Sequence, residues 1–147
     1  MSPTDTKGLA EKLEKISTRA VKSNMVPLVT KNGILIGSYL IKPRDGLFDI
    51  MEGSRILFTT YSKSAAMIVV RMLTKRKPAE NITEVIQADR IAFSTRNDLE
   101  LYKYHYENAE KRNDLTKRDI FLSRFEVTNE RYQQAKQTLQ KSYSLLF

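Results

Sequence analysis

Apolar positions recur with different periods along the chain, and each period predicts a different element. Leu9, Leu13, Ile16 and Ala20 are spaced 4, 3 and 4 apart, which is one stripe of an amphipathic helix over residues 6–23. Lys12, Lys15, Arg19 and Lys22 fall on another face, and Asn24 and Pro27 stop the element, so a helix is expected within 1–24. From 25 to 61 the period drops to two. Phe48 and Ile50 flank polar Asp49, and Ile56 and Phe58 alternate in the same way. Short apolar segments, Ile34–Ile36, Tyr39–Lys42, Leu47–Met51 and Arg55–Tyr61, are punctuated by turn residues. Asn32-Gly33 fits a type I′ hairpin turn, with further turns at Pro43–Gly46 and Glu52–Ser54. This predicts a three- or four-stranded antiparallel meander with one apolar face that needs a cover.

Residues 62–78 supply the cover. Ser62 is a suitable N-cap, and Ala65, Met67, Ile68, Val69, Met72 and Leu73 make a strongly apolar helix. It ends in Lys75-Arg76-Lys77-Pro78, three cations at the negative end of the macrodipole followed by a helix breaker. Asn81-Ile82-Thr83-Glu84 has the form of a capping box. Behind it Ile82, Val85/Ile86, Asp89, Ala92/Phe93, Arg96, Leu99, Tyr102, Tyr106 and Ala109 recur every three or four residues. The pattern breaks over 111–116, and Thr116 with Asp119 can cap the next helix. There Phe121, Phe125, Thr128, Tyr132, Ala135, Leu139, Ser142 and Leu146 form a heptad seam. Residues 81–147 are therefore expected to be a long antiparallel hairpin of helices, each roughly 40 Å long. The fold class is α+β in a single domain, residues 1–147: an N-terminal helix, a small β-meander (25–61) covered by a helix (62–78), and the hairpin.

Composition narrows the chemistry. The chain of 147 residues has no cysteine, which excludes disulfides, thiolate metal sites and cysteine nucleophiles. No run of 18 apolar residues exists, and Met-Ser-Pro-Thr-Asp is not a signal sequence, so a soluble, cytoplasmic protein without a membrane partner is expected. The sequon Asn81-Ile82-Thr83 then stays unmodified. The net charge of +8 is segmented. Residues 62–78 carry five basic and no acidic groups. Residues 79–110 carry three basic and seven acidic, and 111–147 carry eight basic and four acidic. Such alternation suggests neutralisation within the fold or between subunits.

No motif assigns a catalytic residue, a cofactor site or a metal site. His105 is the single histidine, with no partner set for a triad or a metal. The glycines sit in turns, and no phosphate-binding loop is present. Asp89 and Arg96 lie on an apolar stripe and so need partners. Arg124 or Arg131 can serve Asp89, and Asp98 or Glu126 can serve Arg96, in a buried ion-pair network. The cations Lys12, Lys15, Arg19, Lys22, Lys75, Arg76 and Lys77 are the candidate anion contacts, joined by Lys111/Arg112 and Lys117/Arg118. The tyrosines do not interleave with them, as base stacking would require, so solvated faces are the simpler reading.

The run Gly37-Ser38-Tyr39-Leu40-Ile41, then Asp45–Ile50, then the helix with Ser64-Ala65-Ala66, resembles small uncharacterised proteins of large tailed phages of marine bacteria. Asp98 with Tyr102–His105, and Arg124-Phe125-Glu126 with Ala135-Lys136, resemble the same group. The similarity covers roughly residues 33–140 and implies a virus-encoded accessory or virion protein, without a role for any residue. The expected function is a non-catalytic, self-associating structural or accessory protein, in the host cytoplasm or the virion. Tyr102, Tyr106, Phe125, Tyr132 and Leu139 are its candidate contacts, in a homo-oligomer or with a virion partner. The alternative is a nucleic-acid-binding accessory protein that uses the basic clusters.

Overall fold

Period-two alternation becomes a five-stranded antiparallel sheet in which every connection is a two-residue turn. Its strands are β1 (Leu28–Thr30), β2 (Gly33–Ile36), β3 (Tyr39–Arg44), β4 (Leu47–Glu52) and β5 (Arg55–Thr60), ordered β1-β2-β3-β4-β5. The computed structural model describes residues 26–147. The helix expected within 1–24, with Lys12, Lys15, Arg19 and Lys22, lies outside the described residues. One strand more is present than the three or four expected. β1 has only three residues and follows Pro27, too short a run to show a period.

Turn chemistry differs from expectation at one hairpin. Type I′ geometry belongs to Asp45-Gly46, with φ of 53° and 80° between the paired Arg44 and Leu47. The first hairpin turns on Lys31-Asn32 and closes on the pair Thr30 and Gly33, so Gly33 is already the first residue of β2. Its φ is 142°, and a Cβ there would meet the Ile41 carbonyl oxygen at 2.1 Å. Close approach of β3 selects this glycine.

Alternation sends Ile36, Ile41 and Ile50 to one face, where each is at most 2% exposed. Helix α1 (Lys63–Thr74) packs on β3, β4 and β5 and contributes Ala65, Ala66, Ile68, Val69, Val70 and Met72 to the core. Burying side chains of this size stabilises by roughly 1.5–3 kcal/mol each. Ser62 caps the helix, its Oγ accepting the Ala65 N–H at 3.1 Å. At the other end the Lys77 N–H donates to the Met72 carbonyl at 2.9 Å and the Arg76 N–H to that of Leu73 at 3.2 Å. This double closure is a Schellman motif, and its left-handed position is held by Arg76 at φ 53° instead of a glycine.

The chain divides into two compact units, Met1–Lys77 and Pro78–Phe147, within the one domain that its length suggests. The second unit is helix α2 (Ala79–Lys111) against helix α3 (Leu115–Leu146), each nearly 50 Å long at about 1.5 Å per residue. Helix α2 begins two residues before the Asn81 capping box and uses no side-chain cap. Pro78, with φ −57°, is preset for a helix start and lacks the N–H that a cap would satisfy. A second Schellman motif closes α2, with Asn113 at φ 57° and the Asp114 N–H donating to the Ala109 carbonyl at 2.9 Å. Asp114 then caps α3, its Oδ1 accepting the Lys117 N–H at 3.1 Å. That role falls to Asp114 and not to Thr116 and Asp119, because the turn is only three residues long.

Two substitutions test these backbone assignments by urea denaturation. Gly33→Ala is expected to destabilise by about 2 kcal/mol or more, because strain and a backbone clash combine. Arg76→Gly is expected to stabilise by about 0.5–1 kcal/mol, since glycine relieves the left-handed strain and returns part of the gain as chain entropy.

Candidate self-association surface

The heptad pattern of α3 is realised along its length. Phe121, Phe125, Thr128, Tyr132, Leu139 and Ser142 are half-buried, and Ala135 and Leu146 are buried. The facing stripe of α2 changes along the helix. Its first half buries Ile82, Val85, Ala88, Asp89 and Thr95. Beyond Thr95 only Ala109 is buried, while Leu99, Tyr102, His105 and Tyr106 stay half-exposed. The five candidate contacts, Tyr102, Tyr106, Phe125, Tyr132 and Leu139, therefore all lie half-buried on the seam within the hairpin. Tyr102 lies 6.4 Å from Phe121 between ring centroids, and His105 stacks on Phe121 at 4.9 Å. Arg124 sits over the same Phe121 ring at 5.7 Å, and the Lys136 ammonium lies 5.4 Å from the Tyr132 ring centre. His105 is thus part of an aromatic cluster.

Around this part of the seam lie apolar groups that the periodicity did not single out. Leu101 is 51% exposed, Tyr104 60%, Ile120 45% and Val127 61%, and Leu115 and Leu122 are exposed as well. All six lie in the half of the hairpin nearer its turn. Their signal in the sequence was apolar residues falling off the main stripe.

Of the expected buried ion-pair residues, Asp89 alone is buried, at 3% exposure, and its carboxylate is engaged. Arg96, Arg124 and Arg131 are exposed. The inward stripe of α2 runs through Thr95, whose hydroxyl donates to the Ile91 carbonyl at 2.5 Å, so Arg96 is turned one residue out to solvent. Arg124 and Arg131 flank the α3 seam positions without occupying them. Among the described residues no buried side-chain nitrogen or oxygen lacks a hydrogen-bond partner. Lys75, Arg76 and Lys77 are exposed at the end of α1. Lys111, Arg112 and Lys117 are exposed beside the hairpin turn, where Arg118 reaches Asp119 at 3.3 Å.

A polar cluster on the sheet went unseen because it joins three strands. Asp49 on β4 stands opposite Lys42 on β3 and Thr59 on β5. Arg44 Nε donates to its Oδ2 at 2.6 Å and Arg44 Nη2 to its Oδ1 at 3.1 Å, while Thr59 Oγ1 donates to Oδ1 at 2.8 Å. The Arg44 hydrogen bonds, chiefly, hold this carboxyl below its ordinary value. Burial opposes them, and Thr59 and the charges of Arg44 and Lys42 assist. All of its bonding is spent within the sheet, so the cluster fixes strand register.

Among the described residues no group of three or more His, Cys, Asp or Glu side chains is placed to hold a metal, and no helix is long and apolar enough to cross a membrane. Comparison with protein-family models, curated proteins and solved structures finds no match.

Because the folded carboxyl of Asp49 titrates below its ordinary value of 3.8, its contribution is present above that value and lost as pH falls through the folded one. The stability gap between wild type and Asp49→Asn is expected to be widest above about pH 5 and to close toward about pH 2, read from thermal melts across that range.

Proposed function

We propose that the chain is a non-catalytic, self-associating structural or accessory protein whose helical hairpin pairs with that of a second copy. The observation that carries this reading is the turn-proximal half of the hairpin. There the seam aromatics stay half-exposed, and six further apolar side chains surround them. Two helices bury only the strip between them, and a patch of this kind is the ordinary mark of an interaction surface. A second copy fits by charge. Residues 79–110 carry three basic and seven acidic groups, and 111–147 carry eight basic and four acidic. A two-fold pairing of hairpins sets α2 of one copy beside α3 of the other, acidic against basic, and makes a four-helix bundle. The resemblance to tailed-phage proteins supports a place among virus-encoded accessory or virion components.

Light scattering coupled to size exclusion, with absorbance at 260 and 280 nm, tests this reading. The native mass is expected to be a multiple of 17.0 kDa without excess absorbance at 260 nm. Leu101→Asp with Val127→Asp is expected to return it to 17.0 kDa with helicity unchanged, since both side chains are exposed in the single chain. A wild-type monomer overturns the reading. Nucleic acid that co-purifies and is lost on raising salt would put Lys75, Arg76 and Lys77 first instead.

A further inference from the structure

The face of the sheet away from α1 carries a row that no single strand reveals. Leu28 pairs with Leu35, Leu35 with Leu40, Leu40 with Met51, and Met51 with Ile56. One apolar side chain from every strand thus stands in a single line. Alternation sets the line opposite the face of Ile41 and Ile50. The register shift on β5 falls beside it, between the partners of Ile50 and Met51, and leaves Met51 paired with Ile56. Leu35, Leu40 and Met51 are half-exposed, Ile56 is 51% exposed and Leu28 62%. The polar cluster of Lys42, Arg44, Asp49 and Thr59 borders the row on the same face.

The row has the footprint of one helix. Four strand spacings of about 4.8 Å give a line of roughly 19 Å. The stripe Leu9, Leu13, Ile16, Ala20 spans eleven residues, about 16 Å at helical rise. The chain that precedes β1 enters the sheet at its edge, beside Leu28, the first side chain of the row. Eight residues separate Ala20 from Leu28, with a reach of up to about 26 Å, enough to bring the stripe back across the face. The four cations of the same segment lie off the stripe, so seating the stripe leaves them in water. We infer that the apolar row on the open face of the sheet is the docking site of this chain's own N-terminal stretch, residues 6–23. The docking stands apart from the hairpin pairing and does not depend on it.

The absence of cysteine makes the test clean. Leu13→Cys is combined with Leu40→Cys in the full chain, and disulfide formation is followed on non-reducing gels. Lys12→Cys with Leu40→Cys is the control. A docked stripe is expected to give an intramolecular bond in the Leu13 pair at least about tenfold faster than in the Lys12 pair, because docking raises the effective concentration of one thiol and not the other. Equal rates, or no bond, overturn the inference. So does a bond only between copies, which hands the row to a second chain and leaves self-association standing.

Met51 gives a second readout that needs no cysteine. Leu9→Asp with Leu13→Asp is expected to speed peroxide oxidation of Met51 several-fold while Met67 on α1 stays unchanged, since only the row loses its cover. An unchanged Met51 rate overturns the docking, whatever the native mass proves to be.

Discussion

Two helices lying side by side bury the strip along which they touch and nothing else. The same limit applies to a sheet with a helix on one face. Each unit of this protein meets that limit with more apolar surface than its own layers cover. In the hairpin the surplus is the turn-proximal seam, where Tyr102, His105, Phe121 and Phe125 remain half-exposed although every one lies on the inward stripe. In the sheet it is the line from Leu28 to Ile56. The functional reading follows from where the surplus lies.

The sheet deals with its polar groups economically. Asp49 stands on the open face and is 2% exposed, yet three donor contacts from Arg44 and Thr59 satisfy it. A carboxylate so held is a register device. It reaches across β3, β4 and β5 together, and a one-residue slip of any of them would break it. Two Schellman closures do similar work at the helix ends. One uses Asn113, a residue that tolerates the left-handed region, and the other uses Arg76, which does so at a cost.

Charge reinforces the division of roles. In the second unit, acidic α2 and basic α3 are the two halves of one hairpin, so their attraction serves the hairpin and remains on its outer flanks for a further copy. The cations at the end of α1 and beside the hairpin turn face solvent.

What the sequence determined by itself was whatever depends on near neighbours. Period two gave the meander, period 3.5 gave the α3 seam from Phe121 to Leu146, and Ser62 gave the start of α1, because those signals repeat within a few residues. Strand β1 and the start of α2 were not legible, since three residues cannot show a period and Pro78 competes with the Asn81 box. The side of α2 that turns inward at Thr95 was a matter of one residue, which left Arg96 in solvent where a stripe drawn every three or four residues had placed it inside. Only the tertiary structure could decide the register of five strands. That register sets Asp49 among Lys42, Arg44 and Thr59 and aligns Leu28, Leu35, Leu40, Met51 and Ile56, residues up to 28 positions apart, in one row. Pairing across strands is a long-range relation fixed by turn lengths and packing, and a linear pattern does not contain it.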